Sequence, residues 1–351
     1  MRCLVVGAGA VGQFLAARLR LAGHEAVLLA RPDVLDVLNA RGVTLRVGEQ
    51  EWPVGVRAAA DPSDPLLAEP FELVIVAVKS YATEEAARSI AAIATCREST
   101  ILTVQNGIGN EEALAATFGF DRIVAGALTV PVERLDETTV AASPSGGLTI
   151  APAGTQANNW LLAVFDRSGL PARAASDWRA LKWSKLLINL VANAVCAALD
   201  MTPKEVFANT DAYALERRCL REAVAVMAAS HFAAVPLVGF PVPQFAWAIR
   251  ALPSGLLHLV LAGRASKARG HKLPSLLIDA RAGRQQTEVR WLNGAVADRA
   301  PSCGVAAPTN AAVTRVVAGF ANGSVDRASY RGRPEKLLAE IAAADESLDR
   351  R

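Results

Sequence analysis

The sequence predicts an α/β domain over residues 1–177 followed by an all-α domain over residues 178–351. Through the first half, apolar runs of strand length alternate with helical patterning. Beyond Asp177 the strand signals vanish, and long alanine- and leucine-rich segments follow. Alternation followed by helices alone implies a largely parallel sheet and then a helical unit. A third observation specifies the first domain. The run Gly7-Ala8-Gly9-Ala10-Val11-Gly12 sits between an apolar strand at 3–6 and a helix at 13–22. There Gly7 permits a tight turn, Gly9 lets backbone approach a pyrophosphate, and Gly12 lets helix and strand pack closely. Phosphates would rest on unpaired N–H groups at the positive end of the helix. The first domain is therefore expected to be Rossmann-type and to bind a dinucleotide. A ligand-free glycine turn and a methyltransferase-type cofactor loop are the competing readings.

Taken in order, a second strand at 25–30 ends at Arg31, where an acid would suit the ribose of NAD. A guanidinium there suits a 2′-phosphate, so NADP (as NADPH) is the expected cofactor. Residues 71–78, apolar but for Glu72, read as a buried parallel strand. A helix at 80–94, a strand at 100–104 and a helix at 111–118 follow. Short strands are expected at 122–130, 138–142 and 147–151, partly antiparallel, then a helix at 158–168 and an edge segment near Ala172. Pro62 and Pro65 mark a loop, and Ser143 to Gly147 a turn. The second domain reads as helices at 178–199, 203–207, 212–231, 243–251, 275–282, 287–300 and 309–322. A charged, frayed helix is expected from Arg331.

Ligands of open α/β sheets bind outside the carboxyl ends of the strands. Two strands deliver polar residues there: Lys79 after 71–78, and Gln105-Asn106-Gly107 after 100–104. In the helical half, Lys185, Asn189 and Asn193 stand at successive i, i+4 positions of an otherwise apolar segment, and so share one helix face. A buried stripe of this kind needs polar partners, and a bound ligand or a structural network would supply them. By spacing alone Ser275, after Pro274, reads as a helix N-cap, and Glu288 as a solvated acid.

Composition narrows the class. Of 351 residues, 52% are hydrophobic and 20% charged, and the net charge of +3 without a long basic run gives no reason to expect a nucleic-acid or membrane partner. The cysteines (Cys3, Cys96, Cys196, Cys219, Cys303) are scattered, which fits a reducing compartment and implies no metal site. The first residues already read as a strand, so no signal peptide is expected, and the location is expected to be cytoplasmic.

As a set, the GAGAVG loop, Arg31, Val78-Lys79, Gln105-Asn106-Gly107, the Lys185/Asn189/Asn193 helix, Pro274-Ser275, and Thr287-Glu288 with Leu292-Asn293-Gly294 resemble the ketopantoate reductase (2-dehydropantoate 2-reductase) family over nearly the whole chain. The resemblance implies an NADPH-dependent reductase of a 2-oxo acid, with its active site in the cleft between the two domains. It implies Lys185 as general acid and Glu288 as the acid engaging substrate. Asn106, Asn189, Asn193 and Ser275 would hold the substrate. Gly7, Gly9, Ala10, Val11, Gly12, Arg31, Lys79, Asn106 and Gly107 would hold the cofactor. The expected partner is a small 2-oxo acid, with a homodimer through the helical domain left open. A paralogue acting on another 2-oxo acid and a non-catalytic NADPH-binding regulator are the alternatives. The chain departs from the family pattern at Ala82, Ala194, Cys196 and Arg290, and by one extra residue at Gln286.

Overall fold

Alternate residues of each central strand pack to opposite faces, which explains their near-continuous apolar character. Cys3 and Val5 join a core with Leu15, Leu19, Leu28 and Ile75, whereas Leu4 and Val6 join one with Val27, Val74, Val76 and Ile90. A strand covered on both faces cannot alternate apolar with polar. The computed structural model describes residues 1–155, 159–269 and 273–349. The chain divides into two compact units, Met1–Lys182 with Val235–Phe240, and Trp183–Ala234 with Pro241–Arg351.

The first unit opens with β1 (Arg2–Val6), α1 (Ala10–Leu21), β2 (Glu25–Leu29) and α2 (Pro32–Arg41). It continues through β3 (Val43–Val47), β4 (Gln50–Val54), β5 (Arg57–Ala59), β6 (Leu73–Val76), α3 (Thr83–Ala92), β7 (Thr100–Thr103) and α4 (Asn110–Phe118). The strands β8 (Ile123–Leu128), β9 (Val132–Arg134), β10 (Thr139–Ala142) and β11 (Leu148–Pro152), the helix α5 (Trp160–Arg167) and the strand β12 (Ala172–Ala174) complete it. Eight strands form the main sheet in the order β12-β11-β8-β7-β6-β1-β2-β5. From β5 to β8 all neighbours are parallel, while β11 runs antiparallel to β8. The chain reverses its direction of sheet growth at β1, which has β2 on one side and β6 on the other.

The strand expected at 138–142 does not join this sheet. It pairs in a second, four-stranded sheet of order β4-β3-β10-β9, whose hairpin at β3 and β4 the apolar pattern did not reveal. That hairpin carries Arg46, Glu49, Gln50 and Glu51 on exposed positions, so it lacks the apolar run that marks a buried strand. The segment Val235–Phe240 also belongs to this unit. Val238 accepts a hydrogen bond from Thr129 Oγ1 at 2.6 Å and donates its N–H to Thr149 Oγ1 at 3.1 Å.

The second unit begins within α6 (Trp178–Leu190), followed by α7 (Ala194–Leu199), α8 (Pro203–Ala208), α9 (Thr210–Ala229), α10 (Val242–Ala251) and α11 (Ser254–Arg269). The helices α12 (Ser275–Arg281), α13 (Asn293–Arg299), α14 (Pro308–Asn322) and α15 (Pro334–Asp349) close it. Three expectations need correction. The single helix at 178–199 is broken after Leu190, with Ala192 at φ 45°. The helix at 287–300 is a short 3₁₀ turn, Glu288–Trp291, and then α13. The chain from Ser254 to Arg269 is helical, although no helix was expected there. Asn158, the expected start of the helix that becomes α5, lies outside the described residues. Among the described residues, no helix is long and apolar enough to cross a membrane.

Candidate active site

The glycine loop runs from the carboxyl end of β1 into α1. Gly7 has φ 106°, a left-handed conformation that disfavours any side chain. A Cβ there would also lie 2.9 Å from Val78 Cγ1. At Gly12 a Cβ would fall 1.8 Å from the Gly7 carbonyl oxygen, so helix and loop touch through bare backbone. Gly9 differs from both: a Cβ there would meet nothing within 4 Å, so the space above this N-cap residue of α1 is open. Ala10 and Val11 follow as the first residues of α1, whose first turn carries no acidic residue. Their N–H groups belong to the part of a helix that has no intrahelical acceptor. Buried Gln13 steadies the loop by donating to the Ala8 carbonyl at 2.9 Å and the Glu137 carbonyl at 2.8 Å. Arg31 stands just past β2 as the N-cap residue of α2, 81% exposed and 3.2 Å from Asp33.

Lys79 and Asn106 follow β6 and β7, the parallel neighbours that continue the sheet from β1. Both therefore lie at the carboxyl-end side of the strands, beside the point where the strand order reverses. Lys79 is half-buried and Asn106 exposed, whereas Gln105 and Gly107 are buried. Gly107 has φ 86° and Gly109 φ 100°, which turn the chain sharply into α4. A polar network fixes this turn. Ser80 Oγ donates to the Asn106 carbonyl at 2.7 Å, and Asn110 Nδ2 donates to the same carbonyl at 3.0 Å. Gln105 Nε2 donates to Thr83 Oγ1 at 2.8 Å, and Thr83 Oγ1 in turn donates to Asn110 Oδ1 at 2.7 Å. The Lys182 ammonium donates to the Gln105 carbonyl at 2.6 Å and pairs with the Glu111 carboxylate at 2.9 Å, both side chains being 1% exposed. Burial pushes the Glu111 carboxyl up, against the pull of the Lys182 charge.

In the second unit, Lys185 and Asn189 lie one turn apart on α6, and both are half-buried among Leu186, Leu187 and Leu190. Asn193 does not continue their stripe as a helical residue, because α6 has ended. It is the N-cap residue of α7 and buried. Its Nδ2 donates to the Asn189 carbonyl at 3.1 Å, and its Oδ1 accepts the Leu276 N–H at 3.2 Å. Asn193 therefore ties the end of α6 to the first turn of α12. Glu216, buried on α9, accepts the Ala192 N–H at 2.7 Å and so holds the break.

The two readings drawn from spacing alone are both overturned. Ser275 is the first residue of α12 and exposed, while Pro274 takes the N-cap position. Glu288 is no solvated acid, being 4% exposed. It opens the 3₁₀ turn that Thr287 caps, with Thr287 Oγ1 accepting the Val289 N–H at 3.3 Å. Asn293, from the Leu292-Asn293-Gly294 motif, is structural: its Nδ2 donates to Asn310 Oδ1 at 2.9 Å. Lys182, Glu111, Gln13 and Glu216 escaped the sequence reading. Each is a buried polar residue on a helix with at least one partner distant in the chain. The one local hint was a second lysine, Lys182, within an apolar segment.

Two family models cover most of the chain: Ketopantoate reductase PanE/ApbA matches residues 3–154, and Ketopantoate reductase PanE/ApbA C terminal matches residues 177–321. The 2-dehydropantoate 2-reductase of Aquifex aeolicus is 26% identical over 326 residues, which cover 90% of this chain and 96% of that protein. That of Halobacterium salinarum is 27% identical, covering 88% and 95%. Among solved structures, the PanE/ApbA family ketopantoate reductase of Ralstonia eutropha superposes with a TM-score of 0.75 at 26% identity, covering 92% of this chain and 99% of that one. D-mandelate dehydrogenase with NADH and anilino(oxo)acetate shares the fold, with a TM-score of 0.78 at 19% identity and the same coverage.

Proposed function

The chain belongs to the ketopantoate reductase family, and from that premise we propose that it reduces a 2-oxo acid, 2-dehydropantoate foremost, with NADPH as reductant. The observation that carries the reading is the placement of four groups beyond adjacent parallel strands. Arg31 follows β2, the glycine loop follows β1, Lys79 follows β6 and Asn106 follows β7. The loop fits a pyrophosphate because Gly7 and Gly12 leave bare backbone in close contact and Gly9 opens onto free space. NADPH, once bound, supplies the hydride for the ketone carbon.

The chain's own residues do the rest. Arg31 offers a permanently charged planar fork to the 2′-phosphate. Lys79 and Gly107 serve the cofactor side, and Asn106 presents its exposed amide to cofactor and substrate. As the ketone becomes an alcohol, negative charge grows on its oxygen, and the Lys185 ammonium stabilises that charge and gives up a proton. Glu288 accepts a hydrogen bond from a hydroxyl of the substrate. Asn189 and Ser275 orient the acid, and Asn193 commits one donor and one acceptor to keeping those two in place.

The test is a panel of 2-oxo acids with NADPH and NADH, followed at the nicotinamide absorbance. Consumption of NADPH that depends on 2-dehydropantoate is the expected result. A bulkier 2-oxo acid turned over far better would assign the chain to another reductase of this family. Absence of 2-oxo-acid-dependent consumption with either cofactor overturns the reading.

A further inference from the structure

The ion pair between Lys182 and Glu111 lies outside every role given above, yet it touches the Gln105-Asn106-Gly107 turn directly. A lysine and a glutamate, each 1% exposed, are costly to bury and give weak evidence of stabilisation by themselves. What singles this pair out is its third member. The same ammonium donates to the Gln105 carbonyl, and the next carbonyl, that of Asn106, is held by Ser80 and Asn110. Two successive carbonyls are thus fixed from different sides, and the exposed Asn106 side chain projects from a backbone with little freedom. Glu111 lies in the first turn of α4, where the helix dipole favours a carboxylate, so it is a fitting anchor for the ammonium.

We propose that Lys182, held by Glu111, is a positioning residue that fixes the Gln105-Asn106-Gly107 turn in the conformation needed for the Asn106 side chain to engage the substrate. Neither residue touches the reacting atoms; both act through the turn. The proposal rests on the reading of Asn106 as a substrate contact, so its test includes one measurement that needs no activity.

The full chain is compared with the double variant Lys182→Met/Glu111→Gln, which keeps side-chain size and leaves no buried charge unpaired, and with Glu111→Gln alone, which keeps the Lys182 donor. Amide hydrogen exchange is read over residues 104–109, with β1 as the internal reference. The double variant should exchange at 105–107 about tenfold faster or more, with β1 unchanged, as a local opening and not a global one demands. Glu111→Gln, which leaves the buried Lys182 charge without its carboxylate, should exchange there at least as fast as the double variant. On the best 2-oxo acid, the double variant should raise KM about tenfold or more with a much smaller change in kcat, since a substrate-holding contact is lost and the proton donor is not. Parent-like exchange at 105–107 in the folded double variant overturns the proposal, and so does acceleration equal to that in β1. A double variant that does not fold leaves the decision to Glu111→Asp, which keeps the charge and shortens its reach to Lys182; parent-like exchange and KM there together overturn it. If the parent reduces no 2-oxo acid, the functional reading falls, while the exchange result still decides whether the pair holds the turn.

Discussion

Arg31 is 81% exposed and keeps company with Asp33, and both facts bear on the cofactor preference proposed for it. A charge-assisted contact to a 2′-phosphate is worth about 1.5–3 kcal/mol. Solvent screening and the nearby carboxylate put Arg31 at the lower end, so Arg31→Ala should weaken NADPH binding by about 1.5 kcal/mol, or roughly tenfold. NADH binding should hardly change; equal losses for both cofactors in a fluorescence titration would remove Arg31 from the 2′-phosphate. Lys185 and Glu288 separate by kinetics. In the proposed reduction, the charge that Lys185 would meet exists only as hydride arrives, so Lys185→Ala should lower kcat by about 10²–10⁴ with a smaller effect on KM. Glu288→Ala should raise KM more than it lowers kcat, and should cost much less with a 2-oxo acid that lacks the hydroxyl. Near-normal kcat in Lys185→Ala on the best substrate would make that residue structural. Lys185 was legible from its place in a polar stripe at helical spacing, Glu288 only as a member of a motif set. The burial of Glu288 comes from the fold of the second unit, and no local pattern encodes it.

At the scale of elements, periodicity located the strands of the main sheet apart from the short β5, missed most of the second sheet, and placed helix ends poorly. The apolar run at 71–78 contains β6, because a doubly covered strand announces itself by composition. The break between α6 and α7 was invisible, since 191–199 continues the apolar, alanine-rich pattern without a glycine or proline. What ends α6 is a hydrogen bond from another element, the acceptor Glu216 Oε1 at 2.7 Å from the Ala192 nitrogen. The left-handed φ of 45° at Ala192 disfavours a residue with a Cβ, so the break persists because its surroundings impose it. Glu216→Ala would leave that buried N–H without its acceptor, at a cost of about 1–3 kcal/mol. Thermal or denaturant unfolding should show this loss. The kinetic signature should resemble that of a disturbed Asn189, because Asn193, just beyond the break, donates to its carbonyl. A Glu216→Ala protein with parental stability would show that the helix break sustains itself.

For the whole molecule, the expected division into 1–177 and 178–351 leads to a concrete experiment, because the first compact unit also includes residues beyond 177. It contains Lys182 and the Val235–Phe240 segment. Composition could suggest where strands give way to helices, but it could not show that a buried carboxylate in α4 has its counter-ion on the first helix beyond. A fragment of residues 1–177 keeps Glu111 and loses Lys182. Breaking a buried ion pair by removing one partner costs about 3–5 kcal/mol, a large share of the roughly 5–15 kcal/mol that holds a domain together. In the whole chain burial pushes the Glu111 carboxyl up, and the Lys182 charge opposes that push. The fragment also loses Val238 as the partner of the Thr129 and Thr149 hydroxyls, a smaller penalty where water replaces it. The 1–177 fragment should therefore be unstable or molten at neutral pH, with a weak near-UV signal, no cooperative melt and poor NADPH affinity. Glu111→Gln within the same fragment removes the unpaired charge and should recover most of that 3–5 kcal/mol, seen as a sharper melt and restored cofactor binding. If the unaltered fragment instead melts cooperatively and binds NADPH like the full chain, the Lys182–Glu111 pair is dispensable to the first unit and the composition boundary is also a folding boundary.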